Sequence, residues 1–227
     1  MRESVERVIS RKRIGGLFLI ILALFFTATS AIAQELKGKL GVGVRGGPSV
    51  LTQNAASISG MAVEGNVGPI VSGSILYGLS DALLVGIDVE WGTQTLDISG
   101  SDIGDSTTYS IMTFIEDHAG TKPLSPYILF GLGANINALD LNSTFNAACK
   151  QTFGGSCNAK LDTTLAFKVA GGIDYFVIPN LALNTEVGYI YNSGNMTVTV
   201  PVGSEKKSFN GSVFSALFGI RYFFGGE

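Results

Sequence analysis

The last segment of the chain alternates strictly between two kinds of residue. One set is mostly aromatic or aliphatic and comprises Phe214, Ala216, Phe218, Ile220, Tyr222 and Phe224. The other set is mixed and comprises Val213, Ser215, Leu217, Gly219, Arg221 and Phe223. Successive side chains of a β-strand point to opposite faces, so a period of two predicts an extended strand. One face suits an apolar surrounding, while the other carries a charge.

Seven earlier segments show the same alternation. We predict strands over 38–47, 67–77, 83–94, 107–116, 126–138, 163–176, 181–192 and 212–224. Each has about 10 to 14 residues, enough to cross a bilayer at a tilt. The connections after the second, fourth and sixth segments are short, whereas the other connections run to roughly 12–25 mostly polar residues. The pattern predicts an all-β fold, an eight-stranded antiparallel up-and-down transmembrane β-barrel with periplasmic turns and four extracellular loops.

The N-terminus has the three parts of a secretory signal. Basic Arg11, Lys12 and Arg13 precede an apolar run over 17–26, and small residues end at Ala33. We predict a cleaved signal peptide over 1–33 and one barrel domain over 34–227. An uncleaved helix is the alternative, but its strongly apolar part is about ten residues, short of the roughly 20 that span a bilayer. Residues 34–227 contain no apolar run of about 18 residues, so any span there must be made of strands.

Net charge and cysteine content limit the kinds of binding partner and the cellular compartment that we expect for this chain. Removing residues 1–33 takes away five basic and two acidic residues, so the formal net charge falls from −3 to −6. An acidic chain argues against a nucleic-acid partner. Cys149 and Cys157 are the only cysteines, and both lie in the polar stretch between the fifth and sixth segments. Because an exported protein meets an oxidising compartment, we predict one disulfide that closes a small surface loop.

Aromatic residues occur near both ends of the predicted strands, on the apolar parity. The periplasmic set is Tyr77, Tyr175, Tyr222 and Phe224, and the opposite set is Trp91, Tyr109, Tyr191 and Phe214. Aromatic girdles at both interfaces are typical of membrane barrels, so these residues predict two girdles. Tyr127 breaks the scheme, because the alternation of its strand sends it inward.

The inward parity carries a balanced set of charges. It contains Lys39, Arg45, Asp88, Glu90, Lys168, Asp174, Glu186 and Arg221. Unpaired charges are costly to bury, so the equal numbers predict an interior ion-pair network rather than a row of ligand-binding charges. Eight strands enclose a space that side chains roughly fill, so a wide aqueous channel is not expected.

Residues with catalytic or metal-binding chemistry are few. The single histidine, His118, is predicted to lie in a solvent-exposed periplasmic turn. Asp97, Asp102 and Asp105 cluster in one predicted loop, but their spacing is not that of an EF-hand. The sequence therefore predicts no catalytic residue, no cofactor site and no metal site.

Three stretches resemble the small outer-membrane β-barrel family of Gram-negative bacteria, the OmpA/OmpX type. They cover 126–133, 166–189 and 219–224, the last similar to the signal by which the barrel-assembly machinery recognises its clients. In this signal Gly219, Tyr222 and Phe224 are the matching positions. The resemblance implies an outer-membrane location, contact with lipid and lipopolysaccharide, and insertion by periplasmic chaperones and the assembly machinery. It carries over no catalytic residue.

These observations favour a non-enzymatic barrel whose role lies in envelope integrity or in contacts of its loops with a partner that the sequence does not identify. Three alternatives stay open. A narrow porin-like ion path would run through the lumen, and a soluble lipocalin-like carrier of an apolar ligand would place apolar side chains inside. A lipid A-modifying barrel enzyme would need a serine and a histidine at the outer rim, and the sequence supplies no such pair.

Overall fold

The computed structural model describes residues 36–58, 60–119 and 123–225, so the predicted signal peptide lies outside the described residues. The chain is almost entirely made of β-strands. In chain order the elements are β1 (Leu40–Leu51), β2 (Ala56–Ile58), β3 (Met61–Gly65), β4 (Gly68–Gly78), β5 (Leu83–Ile98), β6 (Ser101–His118), β7 (Leu124–Leu141), α1 (Ser143–Phe153), β8 (Asn158–Leu161), β9 (Thr164–Ile178), β10 (Leu181–Tyr191), β11 (Ser193–Val200), β12 (Gly203–Asn210) and β13 (Val213–Phe224).

Eight of these strands close into a barrel. The hydrogen-bonded order is β1, β4, β5, β6, β7, β9, β10 and β13, and β13 pairs back with β1. Every pairing is antiparallel. The first and last strands meet with Val44 opposite Ile220. The predicted up-and-down barrel of eight strands is confirmed.

The wall separates two environments by the period-two rule. Strand β4 alternates buried and exposed residues along its whole length. Val44, Val187 and Phe218 are more than half exposed on the outside, whereas Arg45, Lys168 and Arg221 are buried inside. An apolar exterior around a charged interior is the arrangement that lipid requires and the reverse of a soluble carrier. Among the described residues, no helix is long and apolar enough to cross a membrane.

One predicted connection was wrong. The long polar loop expected after the third strand is instead a continuation of the barrel wall, because β5 and β6 pair as far as Ile98 and Ser101. Only Ser99 and Gly100 form the turn, and both have positive φ, at 52° and 78°. The stretch over 95–106 is rich in Asp, Gly and Ser, so its composition resembles that of a loop. Burial of Leu96 and Ile103 accompanies its pairing as strands.

The other long connections fold into a compact layer at the same end of the barrel. We call it the loop subdomain and define it as β2, β3, the tips of β5–β7, α1, β8, β11 and β12. Strands β12, β11 and β8 form a separate three-stranded sheet. An apolar core lies inside and comprises Ala55, Ala56, Val63, Leu96, Ile103, Ala159, Leu161, Met196 and Phe209. The loops are therefore a folded structure with its own interior.

Helix α1 was not predicted from the sequence, although its ends carry recognisable signals. The Asn142 side chain accepts a hydrogen bond of 2.8 Å from the Phe145 amide, which satisfies a free donor of the first turn. Gly154 follows the helix in the left-handed conformation at φ 77°, a common helix terminator. Cys149 in α1 and Cys157 just before β8 form a disulfide, as predicted. The bond fastens the helix to the strand that enters the small sheet.

The opposite end of the barrel, which we call the turn end, is filled with apolar side chains. This turn-end core comprises Leu36, Leu76, Leu84, Phe114, Tyr127, Leu129, Ala170, Phe176, Ala182 and Phe223. The segment before β1 folds against it, with Leu36 buried and the Gly38 amide donating to the Gly78 carbonyl at 2.8 Å. A Cβ at Gly78 would lie 1.9 Å from the Leu36 carbonyl oxygen, so only glycine permits this approach. Of the short connection predicted after the fourth strand, which contains residues 120–123, residues 120–122 lie outside the described residues.

Candidate functional site

The middle of the lumen contains a dense set of buried ion pairs. We call it the central cluster and define it as Arg45, Asp88, Glu90, Lys168 and Glu186. Arg45 donates to Asp88 at 2.7 Å and to Glu186. Lys168 Nζ lies 2.6 Å from Glu90 Oε1, 2.8 Å from Glu186 Oε1 and 3.3 Å from Asp88 Oδ2. Each basic group thus faces at least two carboxylates, which offsets the cost of burying it.

Four strands bring this cluster together, and hydroxyl groups complete it. Ser72 Oγ donates to Asp88 Oδ1 at 2.7 Å and accepts from Arg45 Nη2 at 2.9 Å. Ser72 is on β4, next to the β5 strand that carries both Asp88 and Glu90. The partners Arg45 and Glu186 are 141 residues apart in the chain. Closure of the barrel, rather than local sequence, makes these groups neighbours.

A second set of charges lies nearer the turn end. We call it the turn-end cluster and define it as Glu116, His118, Tyr127, Asp174 and Arg221. Arg221 makes two parallel bonds to Glu116, at 2.5 and 3.0 Å, and a third to Asp174 at 3.0 Å. Bidentate arginine–carboxylate pairs combine strong charge-assisted bonds with fixed geometry. Arg221 is therefore held rigidly in the lumen.

Tyr127 links the two clusters, and its hydrogen bonds explain why its side chain faces inward. Its hydroxyl donates to Glu186 Oε2 at 2.9 Å and accepts from the Asn184 amide at 2.9 Å. The guanidinium of Arg221 lies over the ring, 4.7 Å from its centroid, which adds a cation–π contact. The lumen thus contains one continuous polar network from the central cluster to the turn end.

The structure brings together seven of the eight interior charges named from the sequence. Lys39 also lies inside the barrel, but it makes no ion pair with a carboxylate of the described residues. The sequence interpretation omitted Glu116, whose inward position follows from the parity that places Tyr109 outward on the same strand. With Glu116, the described lumen holds four Lys or Arg side chains and five carboxylates, so the predicted balance of four and four was wrong.

The prediction for His118 was wrong. It is the last residue of β6 and is buried inside the barrel. Its Nε2 lies 2.5 Å from Glu116 Oε1, and its Nδ1 lies 2.9 Å from Ser125 Oγ. Strand β6 continues two residues beyond the predicted end, which turns His118 into the lumen. The row of carboxylate, imidazole and hydroxyl resembles a hydrolytic triad in connectivity.

Burial argues against that chemistry. Ser125 is only 2% exposed, and Glu116 is engaged by Arg221 as well as by His118. A nucleophile needs space beside it for the substrate carbonyl. None of the three cavities described in this structure touches Ser125. The arrangement satisfies buried polar groups, which require hydrogen-bond partners.

Two acidic groupings contain the residue types that bind metal ions. Glu116, His118 and Asp174 offer ligand atoms within 4.8 Å of one another, but the Arg221 guanidinium already lies between the two carboxylates. Asp97, at the end of β5, and Asp102 and Asp105, at the start of β6, instead accept hydrogen bonds, from Asn66, from the Gly104 amide and from Thr95 respectively. Neither grouping supports a bound ion.

The aromatic residues predicted to form girdles all face outward. The set comprises Tyr77, Trp91, Tyr109, Tyr175, Tyr191, Phe214, Tyr222 and Phe224. Tyr222 and Phe224 contact each other edge to face, with centroids 4.8 Å apart. Gly219 faces the lumen, where a Cβ would lie 2.0 Å from the Val44 carbonyl oxygen. Glycine therefore lets the last strand close against the first at this position.

Towards the loop end the charges give way to amides and hydroxyls. Asn135 donates to Thr164 and to the Tyr191 carbonyl, while Asn137 and Asn192 exchange hydrogen bonds of 2.7 and 3.2 Å. This amide layer separates the central cluster from the apolar core of the loop subdomain. From the turn end to the loop end, the side chains inside the protein therefore form four successive layers. These layers are apolar, ionic, amide and again apolar.

The cavities of the described structure are small, except for one groove on the lipid-facing wall. One cavity of about 20 Å³ lies in the amide layer, and another of about 20 Å³ lies within the apolar core of the loop subdomain. Drug-sized ligands need about 300 Å³ or more. The outer groove, about 820 Å³ and almost wholly apolar, lies where lipid chains contact the barrel. Neither of these two interior cavities has space for a carried ligand of ordinary size.

Comparison with known proteins gives the same architecture. No protein-family model and no curated protein matches the chain. Among solved structures, the outer membrane protein OprG from Pseudomonas aeruginosa matches with a TM-score of 0.73 at 14% identity, over 86% of this chain and 100% of OprG. The outer membrane protein AlkL matches with a TM-score of 0.57 at 16% identity, over 87% of this chain and 95% of AlkL.

A third structure, Ail of Yersinia pestis, matches with a TM-score of 0.50 at 16% identity, over 83% of this chain and 99% of Ail. At such identities the likeness concerns the fold. The closed eight-stranded wall, the apolar exterior and the full-length matches agree with the resemblance drawn from the sequence. This chain has the fold of the small outer-membrane β-barrels.

Proposed function

We propose that this protein is a non-enzymatic outer-membrane barrel whose wall anchors the loop subdomain at the cell surface. Its role would be in envelope integrity or in contact with an external partner. The observation that carries the proposal is the apolar core of the loop subdomain, because irregular connections between strands need no interior of their own. A folded and disulfide-linked layer presents a fixed surface, and fixed surfaces lose less entropy on binding.

The filled lumen supports an anchoring role over conduction. The lumen contains three buried basic residues that are paired with carboxylates, namely Arg45, Lys168 and Arg221. The apolar turn-end core closes the barrel at the end with the short turns. An ion crossing the barrel would have to break several of these pairs, each at a cost of about 3–5 kcal/mol. A steady open path is therefore unfavourable in this arrangement.

The same proposal includes the route to the membrane. Residues 1–33 would direct export and be removed, leaving 34–227 as the mature barrel. Gly219, Tyr222 and Phe224 of the last strand would be read by the barrel-assembly machinery, after delivery by periplasmic chaperones. The outward aromatic residues would then contact outer-membrane lipid and lipopolysaccharide.

The central experiment separates the loop subdomain from the wall. Met196→Asp places a charge in the buried core of the subdomain, whereas Thr199→Asp places the same charge on the exposed side of the same strand. We expect both variants to keep the heat-modifiable barrel in outer-membrane fractions. Only Met196→Asp should reproduce the phenotype of a deletion strain in detergent sensitivity and in binding to surfaces. A Met196→Asp strain indistinguishable from wild type would contradict the proposal.

Conduction is tested separately. Purified protein in planar lipid bilayers should give no steady conductance steps, because the ion pairs and the turn-end core close the lumen. Regular steps that change size in an Asp88→Asn variant would instead identify an ion path through the central cluster. That result would favour the porin-like alternative.

A further inference from the structure

A cavity with a mixed polar and apolar lining, which includes Ile70, Ile190 and Val213, lies between the central cluster and the amide layer. Its polar lining comprises Ser49, Glu90, Gln94, Thr108, Ser110, Asn135 and Asn192. The volume is about 20 Å³, which is enough for about one water-sized sphere. The space exists because Gly92, which lies between Glu90 and Gln94 on the inward face of β5, has no side chain.

Glu90 is the one charged residue that lines this cavity. Its Oε1 accepts from Lys168 at 2.6 Å. Its Oε2 is buried and has no hydrogen-bond partner among the described residues. A buried carboxylate oxygen without a partner is costly, more so than a neutral group. The free oxygen therefore requires a partner that the protein side chains do not supply.

The hydroxyl groups of the lining direct their protons away from the cavity. Ser110, directly opposite Glu90 on β6, donates to Asn135 Oδ1 at 2.6 Å. Thr108 donates to Asn137 at 2.9 Å, and Ser49 donates to the Gly68 carbonyl at 3.2 Å. Ser49 Oγ also accepts from Gln94 at 3.0 Å, and Thr108 Oγ1 accepts from Asn192 at 3.5 Å, which leaves the Ser110 oxygen as the hydroxyl acceptor with lone pairs for an occupant. Together with Glu90 Oε2 it suits a cation or a donor molecule.

Formal charge favours the cation. The central cluster contains two basic groups, Arg45 and Lys168, against three carboxylates on Asp88, Glu90 and Glu186. The formal charges therefore leave one unit of negative charge in this buried cluster. A single positive charge beside Glu90 Oε2 would balance the cluster.

We propose that this cavity binds one dehydrated monovalent cation, such as Na⁺, with Glu90 Oε2 and the Ser110 hydroxyl oxygen as ligands. A divalent ion fits poorly, since two positive charges exceed the single unit left in the cluster and Mg²⁺ keeps several waters that the cavity cannot hold. The ion would complete the ion-pair network at its loop-end side and stiffen the wall. This inference concerns the lumen and does not depend on the role of the loop subdomain.

The test measures thermal unfolding of the detergent-solubilised protein, with gel mobility as the readout. It compares NaCl with choline chloride at equal ionic strength. Choline is too large for the cavity. We expect the wild type to melt roughly 3–6 °C higher in NaCl when Na⁺ is at about ten times its dissociation constant. Equal melting in the two salts would overturn the proposal and assign the cavity to water.

Two variants locate the effect. Gly92→Ala should fill the cavity without removing a charge, and the added Cβ would make only ordinary contacts, 3.6 Å from Ile70 Cγ1. Its matched control is Gly73→Ala on the outward face of β4, where a Cβ meets nothing within 4 Å. We expect Gly92→Ala to lose the difference between the two salts and Gly73→Ala to keep it. A Na⁺ effect that persists in Gly92→Ala would overturn the site.

Glu90→Gln removes the ligand charge, and the exposed Glu64→Gln is its control. The readout is again the difference between NaCl and choline chloride, so a general loss of stability in Glu90→Gln does not confuse the result. Loss of the difference in Glu90→Gln alone is expected. Its loss in both variants would point to a nonspecific salt effect and overturn the proposal.

Discussion

The barrel lumen and the loop subdomain have opposite interiors, although one chain builds both. The middle of the lumen packs arginine, lysine and carboxylates above the apolar turn-end core, while the loop subdomain packs only apolar side chains such as alanine, leucine, methionine and phenylalanine. The difference follows from what surrounds each part. The barrel turns its apolar side chains to lipid and keeps the polar set inside, whereas the subdomain lies in water and buries its apolar set as soluble proteins do. Ion pairs therefore contribute to stability in the barrel beside its turn-end core, whereas the loop subdomain depends on hydrophobic burial and its disulfide.

The largest effect should come from the lumen. Arg221→Ala leaves Glu116 and Asp174 buried without their common partner, so we expect the free energy of unfolding to fall by about 3–5 kcal/mol. Lys206→Ala, at an exposed pair of 3.7 Å with Asp162, should change it by less than about 1 kcal/mol. Urea unfolding in lipid vesicles, followed by the fluorescence of the single tryptophan, measures both. Equal losses would contradict the importance of the interior network.

Leu161→Ala should affect the loop subdomain and spare the barrel. Removing this buried side chain should destabilise the subdomain locally by about 2–5 kcal/mol. The control is Val202→Ala, because Val202 is 79% exposed in the same subdomain. Limited proteolysis should cut the Leu161→Ala loops faster, while gel mobility before and after boiling still shows a folded barrel. Simultaneous loss of the barrel would show that the two interiors unfold together.

Removing the disulfide should give a similar but smaller local effect. In Cys149→Ser/Cys157→Ser the unfolded loop gains freedom, which costs the subdomain about 2–3 kcal/mol in the chain-entropy model. Proteolysis under the same conditions measures it, and a reducing agent added to wild type should have the same result. Resistance unchanged by both treatments would mean that the apolar core alone holds the subdomain.

The smallest expected effect tests the link between the two charge clusters. Tyr127→Phe removes the hydroxyl that bonds Glu186 and Asn184, so a loss of about 1–2 kcal/mol is expected on urea unfolding. Tyr222→Phe on the outward face should have little effect, because Tyr222 is 39% exposed to the lipid side. If the free energy of unfolding of Tyr127→Phe is no lower than that of Tyr222→Phe, the two clusters are energetically independent.

The sequence was more informative about the barrel lumen than about the loop subdomain. Parity alone placed Arg45, Lys168 and Arg221 inside the barrel, and it also turned Tyr127 inward before any partner for it was known. It failed at His118, because two further residues of strand moved that side chain from a turn into the lumen. Strand ends depend on pairing with the neighbouring strand, and a single segment carries little information about them.

In the loops, the available sequence signals were the amino-acid composition and the helix-capping residues. Polar stretches such as 99–106 look alike whether they form a loop or an extended hairpin, so the sequence predicted a long loop where the structure continues a strand pair. Asn142 and Gly154 did carry the signals of a helix start and stop. Without a long apolar period between them, those signals did not decide the assignment.

The sequence by itself determined the eight strands of the barrel wall, the apolar exterior, the identity of most interior charges and the pairing of Cys149 with Cys157. These features follow from alternation along a strand and from a count of two cysteines. The tertiary structure alone decided which charges meet, such as Arg221 with Glu116 across 105 residues, and that the loops share one core. Period-two patterning fixes the face of each side chain, but partners across a lumen are set by the relative register of all eight strands when the barrel closes.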